Sequence, residues 1–265
     1  MEVKILFEGI DYSVHYTNRS NIGIIFLHGF CFDHNIWDTT LPYFENFSTI
    51  TFDHSGMGTS GIHKNHSIDL MAKLVEKVIK HFDYEQYYII GHSMGGYIAC
   101  DLAVHYQNKI TGITLLNSHA FEDSNEKKES RKKSIQFVEN NGVKPFVKQM
   151  IPALFSQEFA QKNPMVIENL IQKAAKYSQQ GIIGCQNAMI SRKDSSACFT
   201  QKNLNWQIIY GKLDQTVPVE FNLKQALIPD EVDIECLKAS AHVSMLEETK
   251  EMSEAILKFI NQTKR

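Results

Sequence analysis

The chain has 265 residues, enough for one large domain or for a main domain with a second one inserted, and 43% hydrophobic residues allow a sizeable core. Its 27 basic and 30 acidic side chains give a net charge of −3. This balance excludes the basic surface typical of nucleic-acid-binding proteins.

The cysteines and the N-terminus indicate the compartment. The five cysteines are odd in number, far apart and never spaced as C-x-x-C, which argues against disulfides and against a zinc site. The first residues, MEVKILFEGIDYSVHYT, alternate like a strand and do not have the pattern of a signal peptide. No apolar run approaches the roughly 20 residues needed to span a bilayer. We therefore expect a cytoplasmic protein without a membrane span, and the sequence does not indicate its oligomeric state.

Short apolar runs bounded by turn residues predict the strands. The first two runs suggest an antiparallel hairpin, whereas several later runs are almost continuously apolar, as in strands covered on both faces. Amphipathic helical stretches lie between them, so we predict an α/β fold with a mostly parallel sheet and helices on both faces. The predicted strands are Val3–Glu8, Tyr12–Thr17, Ile22–Leu27, Thr49–Phe52, Tyr87–Ile90, Ile110–Leu116, Gln207–Tyr210 and Val232–Leu237.

One region interrupts the alternation of strands and helices. From residue 121 to about 205 the patterns are helical and broken by glycines and prolines, without a convincing strand. We interpret this region as a helical insertion. The predicted units are a core of residues 1–119 and 206–265 and a helical cap of residues 120–205.

A serine between glycines follows the strand predicted at Tyr87–Ile90. The stretch GHSMG, with Ser93 at its centre, fits G-x-S-x-G and precedes a predicted helix. A sharp strand-to-helix turn forces backbones together, so the flanking positions must be small and the serine hydroxyl projects above the sheet. We therefore predict that Ser93 is a nucleophile.

A serine nucleophile needs a base, and the base needs an orienting carboxylate. Among the eleven histidines, His242 follows the last predicted strand in the loop ASAHVSM, where it can lean over the serine. Asp214, at the end of the preceding strand in GKLDQTVP, is the predicted carboxylate. Glu122 and Asp123, after an earlier strand, are alternatives.

Two backbone N–H groups are candidates for anion stabilisation. The third predicted strand ends in His28-Gly29, and the glycine lets the N–H of Phe30 face the space above the sheet. The N–H of Met94, directly after the serine, lies at a helix N-terminus. Together they would form an oxyanion hole. No clustered histidine, cysteine and carboxylate spacing predicts a metal site, and no cofactor is expected.

These stretches resemble the α/β-hydrolase superfamily along essentially the whole chain. The matching motifs are LHGF, DHSGMGTS, GHSMGG, GKLDQTVP and the late His242. The resemblance implies an eight-stranded sheet with a helical cap after the sixth strand. It also implies a catalytic triad of Ser93, Asp214 and His242 and an oxyanion hole at Phe30 and Met94.

The resemblance leaves three hypotheses for function. The first is a carboxylesterase that cleaves a small or medium, partly apolar ester through an acyl-enzyme on Ser93. The second is a C–C bond hydrolase or a menaquinone-pathway-type lyase with the same triad, for which Arg131 and Arg192 are the only cap arginines that could bind substrate carboxylates. The third is a non-catalytic small-molecule receptor, and the intact triad argues against it.

Overall fold

The computed structural model describes residues 1–106 and 108–264. Within these residues one sheet contains eight strands, β1 (Glu2–Phe7), β2 (Ile10–Tyr16), β3 (Ile22–Leu27), β4 (Ser48–Phe52), β5 (Gln86–His92), β6 (Ile110–Leu116), β7 (Asn205–Gly211) and β8 (Asp233–Leu237). Their order across the sheet is β1-β2-β4-β3-β5-β6-β7-β8. The pairs β1/β2 and β2/β4 are antiparallel, and all other neighbours are parallel.

The predicted fold class is confirmed, and each predicted strand is present with ends that differ by no more than two residues. The prediction succeeds because the central strands are covered on both faces. Every residue of β6 is buried, and in β5 all but the first are. A strand in that environment has to be almost continuously apolar.

The helices of the described residues flank this sheet or lie between β6 and β7. They are α1 (Ile68–Phe82), α2 (Met94–His105), α3 (Asn125–Asn141), α4 (Val143–Met150), α5 (Gln157–Lys162), α6 (Pro164–Ala174), α7 (Gln179–Ser191), α8 (Val219–Ala226), α9 (Ser244–Glu247) and α10 (Thr249–Thr263), with short 3-10 turns at His34–Trp37, Leu41–Phe44, Pro152–Leu154 and Ser196–Thr200.

Helices α3 to α7 all lie between β6 and β7, where the helical insertion was predicted. We refer to residues 120–205 as the inserted segment. The division into a core of residues 1–119 and 206–265 and a separate cap stays a prediction, and positions 107 and 265 of that core lie outside the described residues. None of the described helices has the length and apolar character needed to cross a membrane. The predicted cytoplasmic location stays a prediction.

Serines determine where several helices begin. The residues before α1, α3, α5 and α7 are Ser67, Ser124, Ser156 and Ser178, and each hydroxyl accepts a hydrogen bond from the N–H three residues further along the chain. Such a hydroxyl satisfies one of the N–H groups that the first turn of a helix leaves without a partner.

The inserted segment packs against the rest of the chain through a contact between two glycines. A Cβ atom at Gly181, in the first turn of α7, would overlap the backbone of Gly56, and the reverse substitution would meet the Gly181 Cα. One turn further along α7, the Cys185 thiol donates to the carbonyl oxygen of Ser55 over 3.7 Å. The backbones of α7 and of the turn at residues 53–60 are therefore in direct contact.

Hydrogen bonds to Asp53 stabilise the turn at residues 53–60. Its buried carboxylate accepts hydrogen bonds from the N–H and the Nδ1 of His34, both at 2.8 Å, and from the N–H of Thr59 at 2.9 Å. Burial acts to raise the pKa of Asp53, but the hydrogen bonds from His34 and Thr59 and the charge on His28 outweigh it, so the pKa lies below its ordinary value.

The contact between Gly181 and Gly56 predicts that alanine at position 181 destabilises the protein, although helix propensity alone favours alanine. Alanine normally stabilises a helix relative to glycine, yet Gly181→Ala should lower the free energy of unfolding by about 1–3 kcal/mol because its methyl group overlaps Gly56. Urea unfolding measures the change. The control is Gln180→Ala at the exposed neighbouring position, which should stay within about 0.5 kcal/mol of wild type. A Gly181→Ala protein as stable as this control would contradict the contact.

The lowered pKa of Asp53 predicts how stability depends on pH. A carboxylate with a depressed folded-state pKa stabilises the fold fully above its unfolded-state pKa and loses this contribution as pH falls towards the folded-state value. The free energy of unfolding of Asp53→Asn should therefore lie below that of wild type at pH 5. This difference should be about 1 kcal/mol smaller at pH 3. Urea unfolding of both proteins at the two pH values measures the change. Asp230→Asn, at an exposed position, should show no such narrowing.

Candidate active site

Ser93 occupies a sharp turn between β5 and α2. Its backbone has φ 51° and ψ −114°, a conformation that residues other than glycine rarely adopt. A Cβ at Gly91 would lie 2.6 Å from the carbonyl oxygen of Gly95, and one at Gly95 would overlap the carbonyl oxygen of Leu27. The predicted need for small residues on both sides of the serine has this steric origin.

The structure brings Ser93, His242 and Asp214 together in one chain of hydrogen-bonding atoms. His242 Nε2 lies 2.9 Å from Ser93 Oγ, and His242 Nδ1 lies 2.8 Å from Asp214 Oδ2. The three residues are far apart in sequence but follow β5, β8 and β7, whose carboxyl ends lie at the same edge of the sheet. The side chains of His242 and Asp214 are only 3% and 1% exposed, so their contact is shielded from water.

The Asp214 carboxylate is fully engaged by hydrogen-bond donors. Oδ1 accepts from the N–H groups of Thr216 at 2.7 Å and Val217 at 3.0 Å, while Oδ2 accepts from Asn117 Nδ2 at 3.0 Å as well as facing His242. Burial acts to raise the pKa of Asp214, but the charge and hydrogen bond of His242 and these donors lower it below its ordinary value. Asp214 is therefore an anion beside the imidazole at neutral pH.

The two predicted oxyanion donors are available. Among the described residues neither the N–H of Phe30 nor that of Met94 donates to a protein acceptor. Gly29 brings this part of the chain against the turn, because a Cβ there would lie 3.1 Å from Ser93 Cβ and 2.7 Å from His92 Nδ1. Two N–H groups next to Ser93 are thus free to bind an oxygen atom.

The alternative carboxylates lie elsewhere. Asp123 is buried in ion pairs with Arg131 Nε and Arg192 Nη1, the latter at 2.9 Å, and Glu122 pairs with Lys128 at the surface. Arg192 Nη2 donates to the carbonyl oxygen of Phe121, and the guanidinium lies over the ring of Tyr97. Both arginines of the inserted segment are therefore committed to contacts within the protein.

Three polar residues around the site were not predicted. Asn117, at the end of β6 with φ 48°, donates to Asp214 and to the carbonyl of Ala241 and accepts from Ser244. His92 donates from Nε2 to the carbonyl oxygen of His242. Glu247 accepts from the loop that carries His242. Asn117 and His92 could have been found from their positions at the carboxyl ends of buried strands, whereas Glu247 leaves no such sequence signal.

Comparison with protein families identifies the class. A family model described as the alpha/beta hydrolase fold matches residues 24–233. The chain therefore belongs to the α/β hydrolase fold family, and its coarse functional class is that of a hydrolase.

Curated relatives carry several activities in their names. 3-oxoadipate enol-lactonase 1 of Acinetobacter baylyi is 24% identical over 214 residues, which cover 80% of this chain and 79% of that protein. 2-succinyl-6-hydroxy-2,4-cyclohexadiene-1-carboxylate synthase of Escherichia coli is 23% identical over 138 residues, about half of each chain (52% and 53%). These identities are compatible with different substrates on one fold.

Solved structures agree with the fold. A thermophilic esterase from Thermogutta terrifontis superposes with a TM-score of 0.90 at 22% identity over 100% of both chains. The enol-lactonase from Burkholderia xenovorans superposes with a TM-score of 0.88 at 18% identity over 98% of this chain and 100% of that one. At these identities the likeness concerns the fold alone.

Proposed function

We propose that this protein is a serine hydrolase that cleaves carboxylic esters through an acyl-enzyme on Ser93. The observation that carries the proposal is the hydrogen-bonded series from Ser93 Oγ through His242 to Asp214, with distances of 2.9 and 2.8 Å. A hydroxyl is a weak nucleophile on its own, and an imidazole within hydrogen-bonding distance can remove its proton as it attacks.

The first half of the proposed reaction forms the acyl-enzyme. His242 Nε2 takes the proton of Ser93 as Oγ attacks the ester carbonyl carbon, and Asp214 stabilises the resulting imidazolium. The carbonyl oxygen becomes negatively charged and accepts hydrogen bonds from the N–H groups of Phe30 and Met94. Collapse of this intermediate breaks the ester bond, and His242 returns the proton to the departing alcohol oxygen.

The second half releases the acid. His242 removes a proton from water, whose oxygen attacks the acyl carbon, and the same two N–H groups stabilise the second tetrahedral intermediate. Its collapse returns the proton to Ser93 Oγ and frees the carboxylic acid. Each step of the proposed reaction uses the side chains of Ser93, His242 and Asp214 and the two backbone N–H groups.

Aromatic side chains beside the proposed oxyanion donors favour a partly apolar ester. The ring of Phe30 lies 6.3 Å from that of Phe146, which belongs to α4 of the inserted segment. Apolar surface close to the reacting carbonyl suits an alkyl or aryl substituent. The 3-oxoadipate enol-lactonase that is similar in sequence carries lactone chemistry in its name, which supports the same substrate class.

Lyase or C–C cleavage chemistry is the second candidate, because one of the curated relatives is named as a synthase. The engagement of Arg131 and Arg192 with Asp123 counts against it, since both guanidinium groups already pair with a carboxylate of the protein. The two chemistries share the triad and differ in the bond that breaks, so substrates distinguish them.

Ser93→Ala should lower kcat on a p-nitrophenyl ester by roughly 10⁴-fold or more, because no other group replaces the nucleophile. A fluorophosphonate should label wild-type protein at Ser93, with strongly reduced labelling in His242→Ala and none in Ser93→Ala. Thermal unfolding of each variant serves as the control for folding. Wild-type rates in Ser93→Ala would rule out the proposed nucleophile.

A substrate panel should separate the candidate chemistries. We expect turnover of p-nitrophenyl esters from acetate to octanoate, with a preference within the series, and no cleavage of a C–C diketone. The ester preference should change in Phe146→Ala, whose truncation opens space next to Phe30. Cleavage of the diketone with no turnover of any ester would instead favour the second candidate.

A further inference from the structure

The backbone of His242 is held from two sides. Its N–H donates to the carbonyl oxygen of Leu154 over 3.0 Å, and its own carbonyl accepts from His92 Nε2 over 2.8 Å. Burial lowers the pKa of His92 to about 3, so its ring is neutral and Nε2 carries the proton that it donates. Leu154 belongs to the inserted segment, so the residue that faces Ser93 is hydrogen-bonded directly to that segment.

A single carboxylate connects the same two parts of the chain. Glu247 Oε1 accepts from the N–H groups of Ala241 at 3.1 Å and Val243 at 3.2 Å, the residues on either side of His242. Glu247 Oε2 accepts from the N–H of Ser156 at 2.9 Å. These donor residues are all buried, so their N–H groups have little access to water as a replacement.

We propose that Glu247 is a positioning residue that couples the inserted segment to His242. Residues 154–156 cannot move away from the core without removing the acceptor of the His242 N–H and one donor of Glu247. The position of residues 154–156 on the core and the alignment of His242 with Ser93 therefore depend on the same hydrogen bonds. This inference rests on the proposed role of His242 as the base.

The neighbouring glutamate provides a matched comparison. Glu248 Oε2 accepts from the N–H of Ala239 at 2.8 Å, so it also binds the loop before His242 through a backbone N–H. Among the described residues it makes no hydrogen bond to the inserted segment. Glu247 and Glu248 are adjacent residues of the same type, but only Glu247 also accepts a hydrogen bond from the inserted segment.

Removing the N–H of Ser156 tests whether its hydrogen bond to Glu247 couples the inserted segment to His242. Ser156 has φ −63° and Phe155 before it has φ −106° and ψ 155°, values that proline and its preceding residue adopt without strain. Ser156→Pro removes the N–H that donates to Glu247, and both it and Ser156→Ala remove the hydroxyl that caps α5. The comparison between these two variants isolates the N–H.

On an ester substrate, kcat of Ser156→Pro should lie about tenfold below that of Ser156→Ala, the rate equivalent of one hydrogen bond to a charged group. KM should change much less, because His242 acts on the reacting atoms and not on substrate binding. Fluorophosphonate labelling of Ser93 should slow by the same factor. Equal kcat in the two variants at equal thermal stability would overturn the coupling.

A second pair tests the carboxylate. Glu247→Gln keeps one carbonyl oxygen, which can serve either the His242 loop or Ser156 but not both, so kcat should fall with little change in KM. Glu248→Gln should keep wild-type kcat and the wild-type pH profile of kcat/KM. If Glu247→Gln and Glu248→Gln have the same kcat and the same pH profile of kcat/KM, the proposed role of Glu247 is refuted. If Ser93→Ala is inactive in that case, the proposed function survives and only the coupling fails; an active Ser93→Ala would overturn both.

Discussion

The sharp turn at Ser93 is the constraint on which the rest of the site depends. β5 gives way to α2 at a single residue, which holds Ser93 at φ 51°. A conformation of this kind costs about 1–3 kcal/mol and persists only where the surroundings enforce it. Here β3 and β6 pair with β5 on both sides, and the first turn of α2 lies against the end of β3 at Leu27. The absence of a Cβ at Gly91 and Gly95 leaves the space that this approach needs.

Around this turn the site is organised by polar groups that have to be satisfied away from water. Asn117 joins the ends of β6, β7 and the His242 loop through three hydrogen bonds. His92 and Glu247 satisfy backbone groups at and beside His242. A buried N–H or carbonyl without a partner is costly, so each of these bonds restricts where the loop can lie. Leu154 accepts a hydrogen bond from the N–H of His242, and Ser156 donates one to Glu247. The inserted segment therefore also helps to hold the His242 loop in place.

Much of the fold was predictable because its signals are local. Continuous apolar runs indicate strands covered on both faces, and the absence of such runs between β6 and β7 marks the inserted helices. The carboxylate partner of His242 was predicted as Asp214 with Glu122 and Asp123 as alternatives, because sequence position alone puts all three near strand ends. The difference lies in their neighbours: two arginines 8 and 69 residues further along the chain bind Asp123, while His242 reaches Asp214. Such long-range pairings leave no periodic signal.

The sequence by itself determined the strand order along the chain, the helical insertion and the glycine-flanked serine, because hydrophobic periodicity and steric demands act between residues close in the chain. Tertiary structure alone decided which polar groups meet. The parallel sheet brings the carboxyl ends of β5, β7 and β8 to one edge, and there Ser93, Asp214 and His242 come within hydrogen-bonding distance. Hydrogen bonds act over about 3 Å, so the partners of Glu247, Asn117 and His92 follow from the fold of the whole chain and not from any stretch of it.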